Sequence, residues 1–163
     1  MRTRLAAGIM AISAVLIIGG AGIAVAASSS SGARPEHLRI MSTKATSGRL
    51  SVIATGVFTV GGYDIPVGVT DTIVVPGGTL KFRHFTHSVT ASFDSRTCLG
   101  TETQKGRFTI GQGTGEYAGI HGTGKFGTSI VFVTARDRAG QCTNVEAPAT
   151  FQRITTASGT VSR

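Results

Sequence analysis

The sequence predicts an all-β protein built as a single eight-stranded antiparallel β-barrel, with a β-sandwich as the alternative that pattern alone leaves open. Three observations carry this. Glycine supplies 23 of 163 residues, about twice the usual share and without a G-X-Y period, which excludes collagen and implies frequent turns. The apolar segments are short, rich in Val, Ile, Thr and Phe, and punctuated by Gly, Pro and Asp clusters, the pattern of closely spaced strands. No window holds a 3.6-residue apolar period long enough for more than a single helical turn, around residues 116–119. With 40% hydrophobic and 15% charged residues, charge-driven disorder is excluded.

Residues 1–4 are short and basic, and the 23 residues 5–27 contain no charge. This is the pattern of a secretory signal peptide, with Ala24-Val25-Ala26 as an A-x-A cleavage site and cleavage after Ala26. An uncleaved membrane anchor is the competing reading, because 23 residues are long enough to span a bilayer. In both readings the remaining chain is exported, as a secreted protein in the first and as an N-terminally anchored domain in the second. Residues 27–36 read as a flexible linker, 37–158 as the barrel domain and 159–163 as a tail. Loss of Arg2 and Arg4 leaves fourteen cations against eight acids, a net charge of +6. In an oxidising compartment the two cysteines, Cys98 and Cys142, admit one intramolecular disulfide.

The strands are expected at 38–44, 49–60, 67–75, 79–86, 88–93, 106–110, 122–134 and 149–156. In the second, the even positions Leu50, Val52, Ala54, Phe58 and Val60 are apolar, so the even face is buried. Closing eight such strands into a barrel removes the edges that an open sheet exposes. In the third, Val67, Val69, Ile73 and Val75 share one face with an acid, Asp71. Residues 76–79 read as a four-residue hairpin loop, which sets Val75 opposite Leu80, Ile73 opposite Phe82 and Asp71 opposite His84. An acid and an imidazole then face each other inside the core. They read either as a satisfied buried ion pair or as a general acid/base pair at a pocket floor. A buried pair of this kind predicts a loss of about 3–5 kcal/mol for His84→Ala.

Residues 111–127 are rich in glycine, but no strand-to-helix context surrounds Gly113, Gly115, Gly119, Gly122 and Gly124, so these read as structural turn residues and not as a phosphate cradle. The run Phe108-Thr-Ile-Gly, then Gly113-Thr-Gly-Glu-Tyr-Ala-Gly-Ile and Gly122-Thr-Gly-Lys-Phe, resembles the allene oxide cyclase and dirigent superfamily of small β-barrels, in its exported actinobacterial branch. Asp71-Thr72, residues 76–80 and Arg96-Thr-Cys98 extend the resemblance over most of 48–156. It implies a calycin-like antiparallel barrel with a central pocket, used in different members for cyclisation, for guiding radical coupling or for no assigned reaction. No catalytic residue is carried over from it.

Two functions follow as expectations. The first is a barrel that binds a small apolar molecule or acts at the cell surface without catalysis. The second is a cyclase or isomerase in which Asp71 and His84 move a proton. No cofactor motif and no metal-ligand spacing is present; His84 and His87 are three apart, which puts them on opposite faces of a regular strand unless a bulge intervenes. His37 and His121 fall at expected strand boundaries. Lys81, Arg83, Lys105, Arg107, Lys125, Arg136, Arg138 and Arg153 are spread along the chain without interleaved aromatics. That charge reads either as simple solubility, the default, or as affinity for polyanions such as an anionic cell-surface polymer or an acidic lipid surface, and not for nucleic acid. A membrane is a partner only if the N-terminal segment stays uncleaved.

Overall fold

The computed structural model describes residues 32–46 and 48–163, so the expected signal segment 1–26 and the first part of the linker lie outside the described residues. Eight strands form a closed antiparallel barrel in which each strand pairs with its neighbours in sequence and the last pairs with the first. They are β1 (Arg34–Ser42), β2 (Leu50–Gly56), β3 (Val60–Val67), β4 (Thr70–Val75), β5 (Gly78–Asp94), β6 (Leu99–Gly111), β7 (His121–Val133) and β10 (Thr150–Ser162). Between β7 and β10 the chain makes a small two-stranded excursion, β8 (Ala135–Arg136) and β9 (Cys142–Thr143). A single 3-10 turn, Gly115–Tyr117, sits in the β6–β7 connection.

Eight barrel strands are present as expected, but their boundaries are corrected in two compensating ways. The stretch 61–66, with its Gly pair, Asp and Pro, is a strand and not a loop; the reversals fall on either side of it, at 57–59 and at Gly68, which adopts a φ of 63°. Gly62 is required there, since a Cβ would lie 2.2 Å from the Val74 carbonyl oxygen on β4. Conversely, 79–86 and 88–93 form one long strand with a bulge at His87, between Thr86 and Ser88. β1 begins within the expected linker and β10 runs through the expected tail.

Alternation then builds the core. Leu38, Val52, Ala54, Ile73, Leu80, Phe82, Phe108 and Val161 point inward and are buried. One end of the barrel is plugged. Tyr117 packs edge-on against Phe58, with ring centroids 5.4 Å apart, and donates its hydroxyl to the Pro76 carbonyl. Glu36, read as linker, is buried; its carboxylate accepts the backbone N–H groups of Val57 and Phe58 at 2.7 and 3.2 Å, closing the β2–β3 turn. The glycine-rich connection seals this end because Gly115, at a φ of 60°, lets the backbone meet Gly77, whose carbonyl accepts the Glu116 N–H at 2.9 Å. Gly113, Gly115 and Gly119 are connection residues as expected. Gly122 and Gly124 are not turn residues: they lie inside β7, where the ring of Phe108 occupies the space over Gly124.

The opposite end is open and lopsided. Pairing of β4 with β5 stops at Arg83, and the β5–β6 hairpin continues for eleven more residues as an arm beyond the β3–β4 turn. The disulfide Cys98–Cys142, with Cα atoms 5.4 Å apart, ties the tip of this arm to the β8–β9 excursion, and Arg136 fastens the same junction through the Arg96 carbonyl. The bridge marks an oxidising compartment. It closes a sequence separation of 44 residues, so its reduction is expected to lower stability by about 4 kcal/mol. Intact mass with and without reductant, alongside denaturant midpoints, checks both the bridge and its contribution; two freely alkylating thiols in the native protein contradict it.

Candidate functional site

The lumen below the open end holds a cavity of about 50 Å³ with an apolar floor and a polar collar. Leu38, Ile73, Phe82, Phe108 and Ala157 form the floor, and Asp64, Asp71, His84, Gln104, Thr128, Arg153 and Thr155 stand around it. Every one of these is an inward position in the period-two alternation of its strand.

Asp71 and His84 are brought together, though not by the expected register. The hairpin loop has two residues, Pro76 and Gly77, so Val75 pairs with Gly78, Ile73 with Leu80, and Asp71 lies opposite Phe82. The ladder is displaced by two from the expected pairing. A shift of two preserves which face each side chain occupies, whereas a shift of one inverts it. The two groups therefore meet diagonally, with His84 Nδ1 3.1 Å from Asp71 Oδ2. His84 also sets its ring edge-on to Phe126, at 5.9 Å. The pair is partly exposed, 26% for the His84 side chain and 17% for Asp71, and not sealed in the core. Burial raises the Asp71 carboxyl above its ordinary range, while the charge and hydrogen bond of His84 and the charge of Arg153 pull it back.

Asp64 is the more deeply buried acid, at 2% exposure. It lies beside Ile73 across the β3–β4 ladder. Burial first, and then the neighbouring Asp71 charge, push its carboxyl from 3.8 up to about 7, against the opposing influence of Arg153 and the Ile65 N–H. Its Oδ1 and the Nε of Arg153 are buried without a protein hydrogen-bond partner. The hydroxyls of Thr128 and Thr155, by contrast, bond each other at 2.8 Å across β7 and β10.

Sequence reasoning missed Asp64 and Arg153. The parity of Val60, Gly62 and Asp64 was available as a signal, but the surrounding glycines and Pro66 mask it as a turn. Arg153 follows the inward parity of Phe151, Thr155 and Ala157 and lines the lumen, whereas Lys81 and Arg83, with which the sequence grouped it as scattered charge, are exposed. His87 falls on the bulge and is exposed; His37 lies within β1 and is also exposed. His121 begins β7 and bonds the Gly119 carbonyl and the Ser162 hydroxyl. Among the described residues, no group of three His, Cys, Asp or Glu side chains is placed to hold a metal ion.

Fold and site together define a closed, disulfide-linked antiparallel barrel with a protonatable lumen open at one end. Comparison with known proteins adds no relative: no family model, no curated protein and no solved structure matches the chain.

Proposed function

We propose that this is an exported barrel that binds a small, largely apolar molecule bearing an oxygen function, inserted end-on into the lumen. The observation that carries this reading is the pair of orphaned polar atoms, Asp64 Oδ1 and Arg153 Nε, in the collar above an apolar floor. A buried donor and a buried acid without partners are costly to maintain. A carbonyl or hydroxyl oxygen satisfies both at once, accepting from Arg153 Nε–H and from the protonated Asp64. The cavity of about 50 Å³ takes only one end of such a molecule. The remainder lies along the inner face of the β5–β6 arm, where Val89 and Phe93 are 58% and 52% exposed.

Hexan-2-one is a suitable probe, titrated against the Leu38 and Ile73 methyl groups by NMR. Saturable shifts of both are expected, abolished in Ala157→Phe, which fills the floor. A chain whose floor methyls do not move with saturating ketone does not use its lumen in this way.

A second reading is favoured by Asp64 titrating near 7, the range in which a group both donates and accepts protons. In it, Asp64 protonates a substrate oxygen and the Asp71–His84 pair accepts a proton elsewhere on the substrate, a cyclase or isomerase of the kind the allene oxide cyclase resemblance implies. Asp64→Asn separates the two readings, because the amide still donates a hydrogen bond but transfers no proton. Binding retained together with turnover lost identifies an enzyme.

A further inference from the structure

The outer wall of the barrel carries its charge unevenly, although Arg49, just before β2, lays its guanidinium over the Tyr63 ring of β3 at 4.6 Å. β2, β3 and β4 contain no Lys or Arg, while Arg39 on β1, Lys81 and Arg83 on β5, Lys105 and Arg107 on β6, and Lys125 on β7 all face outward. The acids within the strands, Glu36, Asp64, Asp71 and Glu102, lie on the lumen side, apart from Asp94 at the arm tip. The cationic half is thus a continuous field in which only Thr, Ser, Gly, His37 and Phe85 intervene between the charges.

The register makes the field dense. Phe85, Arg107 and Lys125 stand in one row across β5, β6 and β7, and Lys105 shares the next row with Gly127 and Thr156, which pairs with Arg39. Arg107 and Lys125 are directly opposed, and like charges in that position destabilise a ladder. Among the described residues none of the six forms a salt bridge. Arg83 is held over the Phe85 ring at 5.0 Å, which fixes its stem on the wall.

We propose that this half of the wall is a docking surface for a linear polyol-phosphate polymer. Charge complementarity sets the partner's sign, and geometry sets its form. Alternate residues on a strand are about 6.7 Å apart and adjacent strands about 4.8 Å apart, so Lys105 and Arg107 repeat on the scale of a three-carbon polyol phosphate. The opposed Arg107 and Lys125 flank one phosphodiester, whose single negative charge is shared by two non-bridging oxygens, each able to accept from one donor. The depressions on this wall, one beside Arg39, Thr156 and Ser158 and one beside Thr109, Thr123 and Thr160, are open to solvent, which suits a flexible chain in preference to an enclosed compact anion. This surface is independent of the lumen and stands whether or not the barrel binds a ligand.

The test is binding of the disulfide-bonded protein to poly(glycerol phosphate) as salt is varied. Binding is expected to weaken steeply with salt. The triple variant Lys105→Thr, Arg107→Thr, Lys125→Thr is expected to bind at least tenfold more weakly, with the slope of log K against log salt reduced by about two to three. Its thermal midpoint is expected to be unchanged or raised. A control triple of equal charge, Arg34→Ser, Arg138→Ser, Arg163→Ser, is expected to change affinity less than twofold. Equal losses in the two triples mean net charge alone is responsible and overturn the site. Equal binding to polyglutamate overturns the phosphate assignment, and binding to phosphatidylglycerol vesicles without binding to the polymer overturns the choice of partner. If the patch triple does not fold, Lys125→Gln alone is expected to lower affinity two- to fivefold, and no change in it overturns the proposal.

Discussion

Asp64→Asn is expected to stabilise the barrel by roughly 2–4 kcal/mol at pH 9 and to leave it within about 0.5 kcal/mol of the parent at pH 4. The sign follows from linkage. The folded-state carboxyl titrates at about 7 against an ordinary value of 3.8, so between these values the folded chain holds a proton that the unfolded chain releases. Stability attributable to Asp64 is therefore complete below the ordinary carboxylate range and is lost as pH rises toward 7. A shift of that size corresponds to roughly 4 kcal/mol when the group is fully ionised. The amide keeps the shape of the neutral acid and never ionises, so the penalty disappears from the alkaline side. Urea midpoints measured for both proteins from pH 4 to pH 9 check this, and parallel curves exclude a raised carboxyl at this site.

His84→Ala is expected to cost about 1–3 kcal/mol, less than the 3–5 kcal/mol usual for breaking a fully buried pair. The two side chains retain 26% and 17% exposure, so solvent screens part of the charge left on Asp71. What is lost is the 3.1 Å hydrogen bond and the contact with Phe126. The loss is expected to grow with pH above the carboxylate range, since Asp71 must then be ionised without its partner. Substituting both, Asp71→Val with His84→Leu, is expected to recover most of the stability. If recovery is accompanied by loss of ketone binding or turnover, the pair belongs to the site; if binding and turnover survive, it is structural. A cost below about 0.5 kcal/mol for His84→Ala is the range of fully exposed positions, and contradicts the contact.

The fold was legible because alternation within each strand is a local property. Leu50, Val52 and Ala54 declare the inward face of β2 without knowledge of any partner. The Asp71–His84 contact was legible for a related reason. The sequence predicts a β4–β5 loop two residues longer than the one present, but Asp71 and His84 keep their faces under an even shift, so both ladders bring the two groups together. Cys98 and Cys142 were legible from number alone.

What stayed hidden depends on contacts between distant segments. Gly61, Gly62 and Pro66 mark a turn by every local criterion, yet the segment is held as β3 by pairing with β2 and β4, and Asp64 arrives in the lumen with it. The parity that Arg153 shares with Phe151, Thr155 and Ala157 marks a lumen only once β10 is paired between β7 and β1. Glu36 reads as linker because its partners, the N–H groups of Val57 and Phe58, lie 21 and 22 residues away. The division of charge around the wall likewise requires the closed strand order, since the six cations are scattered from Arg39 to Lys125 along the chain.

A single titration tests the lumen most directly: the Asp64 carboxyl carbon followed by NMR against pH, with and without saturating hexan-2-one. The free protein is expected to give a midpoint near 7. The ketone is expected to move it upward, because the protonated acid donates to the carbonyl and binding favours that form. A midpoint near 4 in the free protein, or one that ignores the bound ketone, contradicts a lumen that holds its ligand through this acid.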